Sequence, residues 1–393
     1  MAVNREELAG MEYALGDRYW ADQRLDKAKK WYSACIEHGS AKHNFPSHIL
    51  LRYQSVQWWN EMIDVIEQLH SQSTLAPMML ALTESSRNEK VQVAILEAGV
   101  NTNNLGVFDH VYQGAIKSAV KAKNYRASFS LRQAYASALA ARHPCPTDDI
   151  MKVLEAAAGD VPYTNTDLAA TFFLVGYRLG TIYLDKAKVA KKAGQEDEAK
   201  DWLRRMSAIV PEQVTENQMR LPLSLFSARY YYINNDLEAA RSMVHNTLRM
   251  ATELLSDDDS TNDMLAYKKI LYAVIPFKDE ANAAAALAMM KLEAPGGSFS
   301  VSCSCSCGHT WTTPGDMWWC MDCINVVLTS KCKEDIKNRN VCWESHSHFY
   351  IPKWDEEKMS SNTSKNLVPW NGMNISMDRW RKEITKAYRL TKS

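Results

Sequence analysis

The chain lacks an excess of either charge and is poor in glycine. Its 393 residues carry 46 Lys and Arg against 46 Asp and Glu, which gives a formal net charge of zero. General nucleic-acid-binding proteins need surplus positive charge to displace counterions from phosphates, so this balance argues against that class. Glycine contributes only 15 residues, and this scarcity favours helices over turn-rich β architecture.

No stretch has the length and apolar character of a membrane-spanning helix. The most apolar segments are 168–184, which contains Arg178, and 281–290, which is too short to cross a bilayer. Residues 1–20 carry charged side chains between Arg5 and Asp17, so we expect no signal peptide there. These absences predict a soluble cytoplasmic or nuclear protein with no membrane partner.

Short catalytic motifs are also missing from the sequence. It contains no Gly-x4-Gly-Lys-Ser/Thr phosphate loop, no Gly-x-Ser-x-Gly elbow, no His-Glu-x2-His and no dinucleotide-binding glycine pattern. The histidines before residue 300, such as His38 and His110, are scattered. We therefore expect a protein without enzymatic activity.

Residues 1–294 are predicted to form a succession of helices, because apolar residues recur at spacings of three and four between short polar breaks. Small residues let two helices approach closely, while aromatic rings fill the space beside them. A pattern of this kind recurs in 8–40 (Leu15, Gly16, Tyr19, Ala28, Tyr32, Cys35), 175–211 (Leu179, Gly180, Tyr183, Ala199, Leu203, Met206), 221–253 (Ala228, Tyr231, Ala240, Val244) and 262–295 (Tyr272, Ile275, Ala284, Ala288).

This pattern resembles the tetratricopeptide repeat over about half of the helical region. The resemblance implies an all-α, tetratricopeptide-like solenoid whose first helices line a concave groove for a peptide or protein partner. Families that grip a carboxylate tail line the groove with Lys and Asn. This chain has Tyr13, Asp17, Leu225 and Arg229 at corresponding positions, so no carboxylate clamp is expected. An unrelated helical solenoid or a compact bundle is the alternative.

The middle of the helical region, 44–160, has no assignable repeat phase. Helices are predicted there around 47–70, 75–98, 105–123 and 125–142. The repeat resemblance is confined to the segments on either side.

Composition changes near residue 295. Seven of the nine cysteines lie between Cys303 and Cys342, and seven of the twelve tryptophans follow residue 295. Gly296 and Gly297 stand at the change. The sequence therefore predicts a helical-repeat domain over 1–294, a cysteine-rich finger over 299–354, and a linker with a C-terminal helix over 355–393.

The cysteines and histidines of the finger have the number and spacing of zinc ligands. Zinc is bound by thiolates and imidazoles that arrive in closely spaced pairs from separate chain segments. Eight ligands suffice for two tetrahedral structural sites, so one or two zinc ions are expected, while His309 and His348 are expected to lie outside the ligand sets. The candidate ligands are Cys303, Cys305, Cys307, Cys320, Cys323, Cys332, Cys342 and His346.

Two pairings of these ligands are compatible with the spacing. A cross-braced arrangement groups Cys303, Cys305, Cys307 and Cys332 in one site, and Cys320, Cys323, Cys342 and His346 in the other. A sequential arrangement groups Cys305, Cys307, Cys320 and Cys323 on one ion, and Cys332, Cys342, His346 and His348 on the second. The sequence does not separate them.

The order of the cysteine pairs, the step Trp319-Cys320-x2-Cys323 and the final His before Phe-Tyr-Ile-Pro resemble a divergent ZZ-type zinc finger, a module that closes many fungal tetratricopeptide-repeat proteins. Two departures stand out. Thr329 occupies the position of a ligand cysteine, and the first Cys-x2-Cys is replaced by the alternation that begins at Cys303, whose extra thiol could supply the missing ligand. The resemblance implies a module that binds a partner's peptide through an acidic pocket. Asp316 and Asp322 are candidate pocket residues, although we expect both to be solvated surface groups.

Three other functions of the finger are disfavoured. Thiol redox chemistry needs a βαβ setting and a lowered thiol pKa at a helix start, and neither is visible. A ubiquitin-ligase RING needs a Cys-x-His-x2-Cys step that is absent. The segment 296–354 contains five basic and five acidic residues, and this balance argues against duplex nucleic acid as a ligand. The tryptophans Trp311, Trp318, Trp319 and Trp343 are expected to form the module's core.

After the finger, 355–375 is polar and is predicted to be a linker. Ser376 can cap a last helix over 377–389. Met377, Trp380, Ile384 and Tyr388 fall on one face of that helix, and we expect this face to pack against the rest of the protein.

These features together predict a non-enzymatic interaction or scaffold protein. Its partner would be a peptide or protein held in the helical-repeat groove, the finger, or both. The alternative is a zinc module that serves nucleic-acid binding or an enzyme-associated regulatory role.

Overall fold

The computed structural model describes residues 4–39, 44–85, 87–142, 146–159, 169–209, 220–257, 259–294, 299–305, 307–336, 342, 345–353 and 367–390. Most of these residues are helical. Contacts divide the chain into two compact units, 1–171 and 172–393. The predicted boundary at Gly296 and Gly297 lies outside the described residues, and the predicted division of the chain near 295 stays a prediction.

The first unit is built of helices that pack on their neighbours in sequence, as α1 does on α2 and α7 on α8. The helices are α1 (Arg5–Ala21), α2 (Leu25–His38), α3 (Phe45–Ser55), α4 (Trp59–Ser71), α5 (Leu75–Leu82), α6 (Asn88–Asn101), α7 (Val107–Lys121), α8 (Tyr125–Ala140) and α9 (Thr147–Gly159). Two of the helices predicted in the middle region are each divided in two. The 47–70 segment breaks between α3 and α4, and 75–98 breaks between α5 and α6.

The second unit continues the helical pattern and then changes to small strands. Its helices are α10 (Ala169–Lys192, which begins just before the unit), α11 (Glu196–Ala208), α12 (Arg220–Ile233), α13 (Leu237–Leu254), α14 (Asp263–Val274), a 3-10 turn (Ile275–Phe277) and α15 (Glu280–Glu293). Helix α13 shows why they form: Asp236 caps its first turn at Ala239 N–H, and Ala240, Val244 and Leu248 are fully buried at fourfold spacing. Among the described residues, no helix is long and apolar enough to cross a membrane.

One turn geometry recurs between successive helices. After α1 and after α12, the second residue past the end of the helix has a positive φ. The N–H of the following residue donates to the carbonyl five positions earlier, as from Arg24 to Tyr19 and from Asp236 to Tyr231. This is the hydrogen-bond pattern that ends helices with a left-handed residue. The left-handed positions are Gln23, Gln57, Ser73, Asn103, Lys123, Gly194, Asn235 and Lys278. Because seven of these eight are not glycine, the break inside the predicted 47–70 helix, at Gln57, had no glycine or proline to mark it.

Glycines allow close approach between helices. A Cβ added at Gly16 of α1 would lie 2.5 Å from the ring of Tyr32 on α2, and one at Gly180 of α10 would lie 1.9 Å from Phe226 on α12. Tyr32 and Phe226 are both fully buried. The small-against-aromatic packing predicted from the sequence is therefore present at these two contacts.

The finger contains short strands, so the fold is mostly helical with a small β part and not all-α. Strands β1 (Val301–Ser302) and β2 (Thr310–Trp311) form one hairpin. Strands β3 (Met317–Cys320), β4 (Val327–Leu328) and β5 (His348–Ile351) form an antiparallel sheet in the order β4-β3-β5. Helix α16 (Ser330–Glu334) follows β4. Trp319 and Phe349 pair across β3 and β5 and are buried in the finger's core.

The segment after the finger contains a hairpin that the sequence did not predict. Strands β6 (Leu367–Trp370) and β7 (Met373–Ser376) pair within the predicted linker, and the remainder of that linker, 355–366, lies outside the described residues. Ser376 caps α17 (Met377–Ala387) by accepting the Arg379 N–H at 3.2 Å, as predicted. The prediction that α17 packs inward is confirmed, because Trp380 and Ile384 are fully buried.

Candidate metal centre

The first cysteine cluster joins the β1–β2 hairpin to α16. Cys305 Sγ lies 3.3 Å from Cys303 Sγ and 3.0 Å from Cys332 Sγ, and with Cys307 the four sulfur atoms all lie within 4.8 Å of one another. The Cys303 N–H donates to the His309 carbonyl at 2.9 Å, which folds the hairpin loop around the thiols. Cys307 is exposed, whereas the other three are buried.

Thr329 has a structural role beside this cluster. Its hydroxyl accepts the Cys332 N–H at 3.1 Å and so caps the first turn of α16. Cys303 lies in this cluster with Cys305, Cys307 and Cys332, so the cluster has four thiols without a ligand at position 329.

The second cluster lies where the end of β3 meets the start of β5. Cys320 is the last residue of β3 and Cys323 follows it, while Cys342 and His346 precede β5. The pairing of Cys320 with His348 brings these segments together. Cys342 Sγ lies 3.4 Å from Cys320 Sγ and 3.6 Å from Cys323 Sγ. His346 Nδ1 lies 3.2 Å from Cys323 Sγ and 3.7 Å from Cys320 Sγ. All four ligand atoms lie within 4.8 Å of one another.

A tight turn holds Cys320 and Cys323 in place. The Cys323 N–H donates to Cys320 Sγ at 3.2 Å, and the Ile324 N–H donates to the Cys320 carbonyl at 2.9 Å. Ile324 has a φ of 64°, a left-handed conformation that costs a β-branched residue about 1–3 kcal/mol. The Trp319 indole donates to the Ile324 carbonyl, and Ile324 is fully buried. Packing therefore imposes the turn that aims both thiols at one point.

Close contacts between its members shift the pKa values of the second cluster strongly. Hydrogen bonding with the thiols of Cys320 and Cys323 lowers the pKa of Cys342 to about 2. Burial alone would lower the pKa of His346, but Asp185 and the neighbouring sulfur atoms raise it to about 11. In the first cluster, the His309 backbone N–H and the Cys305 thiol lower the pKa of Cys307 to about 7. The thiolate is thus the favoured form of Cys342 near neutral pH, while the pKa of Cys307 lies close to neutrality.

The structure brings together the groups of the cross-braced arrangement and not those of the sequential one. Cys305 and Cys307 lie in one cluster, and Cys320 and Cys323 lie in the other. His348 Nε2 lies 3.4 Å from Cys342 Sγ but outside the four-atom group. The ring of His309 packs against Trp311 at a centroid distance of 4.6 Å, and its carbonyl is the group that contacts the first cluster.

The two acidic candidates of the finger differ from each other. Asp316 is exposed, as predicted, and accepts the Tyr350 hydroxyl at 3.0 Å. The prediction that Asp322 is a solvated surface group is wrong, because it is 1% exposed. Its Oδ1 lies 2.9 Å from Arg229 Nε on α12 and 3.5 Å from Lys188 Nζ on α10. The Asp322 carboxylate is therefore paired with side chains of α10 and α12, and it is not available for an acidic peptide-binding pocket.

A network of charges around Asp322 joins the finger to the helices. Its Oδ2 accepts the Ser347 N–H at 2.6 Å. Burial alone would raise the pKa of Asp322, but Arg229, the Ser347 N–H and Lys188 hold it below its ordinary value. Arg229 is 4% exposed and also donates to the Pro276 carbonyl at 3.2 Å. The repeat resemblance put Arg229 at a position that lines the partner groove. In the structure, Arg229 instead pairs with Asp322 of the finger.

Sequence reasoning missed Asp185 and Lys188 as neighbours of the second cluster. Both lie on α10, one turn apart, and look like ordinary polar residues of an amphipathic helix. No local signal marks them, because their partners lie more than 130 residues further along the chain.

The prediction that four tryptophans form the core of the finger is only partly confirmed. Trp311 and Trp319 are buried in the finger, as expected. Trp318 is half-buried and packs against Tyr350 at a centroid distance of 5.2 Å. Trp343 lies outside the described residues.

Two four-ligand clusters are thus positioned so that they could hold metal ions. Sets of thiolates with or without one imidazole suit tetrahedral zinc, and four protein ligands leave no position for a substrate water. The clusters are therefore consistent with structural zinc. No family model, curated protein or solved structure matches this chain.

Proposed function

We propose that this chain is a non-enzymatic interaction protein in which tetratricopeptide-like repeats bind a peptide or protein, and a ZZ-like finger with two structural zinc ions completes the second unit. The observation that carries the proposal is the pair of closed four-ligand clusters, one of them fixed to the helices by the buried Arg229–Asp322 pair. Closed sites stabilise a fold and leave no open position for catalysis.

The tetratricopeptide-like assignment is supported by packing and turns. Gly16 against Tyr32 and Gly180 against Phe226 are small-and-aromatic contacts of the kind the repeat uses. The recurring left-handed turn makes successive helices pack as pairs. The ZZ-like assignment is supported by the crossed ligand order around the β4-β3-β5 sheet.

A partner surface is offered by the face shared by α1 and α3, defined by Tyr13, Asp17, Trp20, His48 and Arg52. Arg52 pairs with Asp17 at 3.0 Å and lies 5.5 Å over the Trp20 ring. The Tyr13 hydroxyl lies 3.1 Å from His48 Nδ1. Asp17 and Arg52 each keep about a third of their surface exposed. Arginine and large aromatic residues contribute most of the energy at protein interfaces, so this α1–α3 face suits a peptide with mixed polar and aromatic side chains.

Zinc content tests the metal part of the proposal. Elemental analysis of the metal-replete full chain is expected to give two zinc ions per chain. Cys305→Ser and Cys320→Ser should each lose one ion from a different cluster, whereas Cys35→Ser should lose none, because Cys35 is buried in α2. A metal-replete preparation without zinc would contradict the proposal.

Site-specific cross-linking tests the binding part. A photoreactive residue in place of Trp20 on the α1–α3 face is expected to capture a partner, while the same residue at exposed Lys30 on α2 should not. The captured partner should then bind the full chain directly, and Arg52→Ala should weaken that binding by about tenfold or more. Equal capture at both positions, or no effect of Arg52→Ala, would exclude this face.

One observation supports nucleic acid as a second candidate ligand. Trp318 and Tyr350 form a half-buried aromatic pair, and Lys333 Nζ lies 5.2 Å over the Trp318 ring. Aromatic platforms with a nearby cation can stack single-stranded bases. Anisotropy with a labelled single-stranded oligonucleotide decides between the two functions: saturable binding that Trp318→Ala abolishes favours this alternative, and its absence favours the peptide function.

A further inference from the structure

His346 is held from both sides of its ring. Its Nδ1 faces the thiols of the second cluster, 3.2 Å from Cys323 Sγ, and its Nε2 lies 3.6 Å from Asp185 Oδ1 on α10. The His346 side chain is 2% exposed, so the ring has little freedom to turn away. The outer nitrogen of a ligating histidine commonly donates to a carboxylate, which fixes the tautomer and strengthens the ligand. Here the carboxylate comes from a helix outside the finger.

Helix α10 also contacts the segment that carries Cys320 and Cys323. One turn after Asp185, Lys188 lies 3.5 Å from Asp322, which stands between Cys320 and Cys323. Asp322 in turn accepts the N–H of Ser347, the residue after His346. The Cys320–Cys323 segment is therefore connected to α10 through Asp322, and the segment that holds His346 is connected to α10 through Asp185. Arg229 adds a connection to α12.

The first cluster differs in this respect. Among the hydrogen bonds and ion pairs of the described residues, none joins its four cysteines to α10 or α12. The two clusters thus provide a comparison within one molecule, one coupled to the helices and one not.

We propose that Asp185 is a positioning residue for the metal ligand His346, so that α10 completes the second metal site and metal binding there is coupled to docking of the finger on α10 and α12. The inference rests on the proposed zinc binding. Because coupling between two equilibria is reciprocal, docking tightens metal binding and metal binding tightens docking by the same factor.

Metal affinity of the full-length chain tests the role of Asp185. Co²⁺ serves as the probe, because a four-thiolate site and a three-thiolate, one-imidazole site give different ligand-field spectra, and a competing chelator then reports each site separately. Asp185→Ala is expected to weaken the second site by about 10–100-fold and to leave the first unchanged. Asp185→Asn, which keeps an acceptor oxygen, should retain part of the affinity. Asp201→Ala, at an exposed aspartate of α11 that pairs with Arg204, is the matched control and should change neither site.

Hydrogen exchange tests the coupling to the helices. Selective removal of metal from the second site should reduce amide protection around 185–188 of α10 and around Arg229, and removal from the first site should not. Far-UV circular dichroism of Asp185→Ala should match the wild type, since 39% of the Asp185 side chain is exposed.

The outcomes separate this inference from the zinc proposal. If the wild type binds two ions and Asp185→Ala binds both with wild-type affinity, the positioning role is wrong and the zinc proposal stands. If the wild type binds no metal at the second cluster, both are wrong. Equal weakening of both sites by Asp185→Ala would also overturn the inference, because it would indicate a general loss of structure.

Discussion

The side-chain oxygen of Asn282 accepts a hydrogen bond from the Trp380 indole at 2.8 Å. The same oxygen accepts a second hydrogen bond, at 3.0 Å, from the indole of Trp370 at the end of β6. Asn282 lies on α15 and is 4% exposed. Its amide nitrogen donates to Asp279, which also accepts the Tyr388 hydroxyl at 2.9 Å. One buried amide and its capping neighbour therefore attach both the β6–β7 hairpin and α17 to the last long helix.

Asn282→Ala is expected to lower the free energy of unfolding by about 2–4 kcal/mol, because two indole donors lose their acceptor and a buried unsatisfied donor costs about 1–3 kcal/mol. Urea unfolding followed by tryptophan fluorescence measures this. Asn246→Ala, at an exposed position of α13, is the control and should stay within about 0.5 kcal/mol of the wild type. An Asn282→Ala midpoint equal to that of the control would contradict the proposed attachment.

Gly16→Ala is expected to destabilise the first unit although alanine favours helix. The new Cβ would lie 2.5 Å from the ring of Tyr32, which is fully buried and donates its hydroxyl to Asp17 at 2.7 Å. Overpacking costs about 1–3 kcal/mol, more than the gain of about 1 kcal/mol in helix propensity.

Gly10→Ala on the same helix is the matched control for this prediction. Nothing lies within 4 Å of its added Cβ, so only the propensity gain applies and the unit should be stabilised. Thermal unfolding of the two variants should shift in opposite directions. A stabilising Gly16→Ala would show that Tyr32 can move and that the contact is not close-packed.

Breaking the Arg229–Asp322 pair is expected to be costly. Removing one partner of a buried ion pair costs up to about 3–5 kcal/mol, and without Arg229 only Lys188 and the Ser347 N–H remain to offset the buried Asp322 charge. Arg229→Met should therefore destabilise the second unit strongly, and the double variant Arg229→Met/Asp322→Asn should lose less than the sum of the single losses. Lys382→Met removes an exposed i,i+4 pair with Asp378 and should cost at most about 0.5 kcal/mol. Strictly additive losses in this denaturation series would exclude a direct interaction.

Metal removal is expected to release thiols and leave the helices folded. With both clusters occupied, the seven finger cysteines should react slowly with a thiol reagent, and a strong chelator should add up to seven fast-reacting thiols per chain. Cys35 should stay slow, because burial raises the pKa of its thiol to about 12. Far-UV circular dichroism should change little. A chelator that extracts zinc without exposing thiols would contradict the assignment of these cysteines as ligands.

Parts of the fold follow from local patterns. The stripe of Trp380, Ile384 and Tyr388 predicted which face of α17 is buried, because a helix repeats its faces every three to four residues whatever it packs against. The break at Gln57 could not be read, because a left-handed turn made by glutamine leaves no compositional mark. The β6–β7 hairpin was missed for a related reason: its four-residue strands are too short to show a period.

The candidate site, like the fold, was predictable from the sequence only in part. Spacing pointed to eight candidate ligand residues and left two arrangements for their pairing. The choice between these depends on the β3–β5 register, which sets Cys320 against His348. Asp322 looked like a surface carboxylate because its neighbours in sequence say nothing about Arg229, 93 residues away.

By itself, then, the sequence determined that this protein is largely helical, with small residues opposing aromatic rings, and that its cysteines are gathered into one segment rich enough for two metal ions. These properties are local, because helix periodicity and ligand spacing depend on residues a few positions apart. Only the tertiary structure decided that the candidate ligands group in the cross-braced arrangement. It also placed Asp185 beside the outer ring nitrogen of His346 and paired Arg229 with Asp322 of the finger. Those relationships depend on which helices lie against the finger, and a buried charge acquires its partner only when that packing is complete.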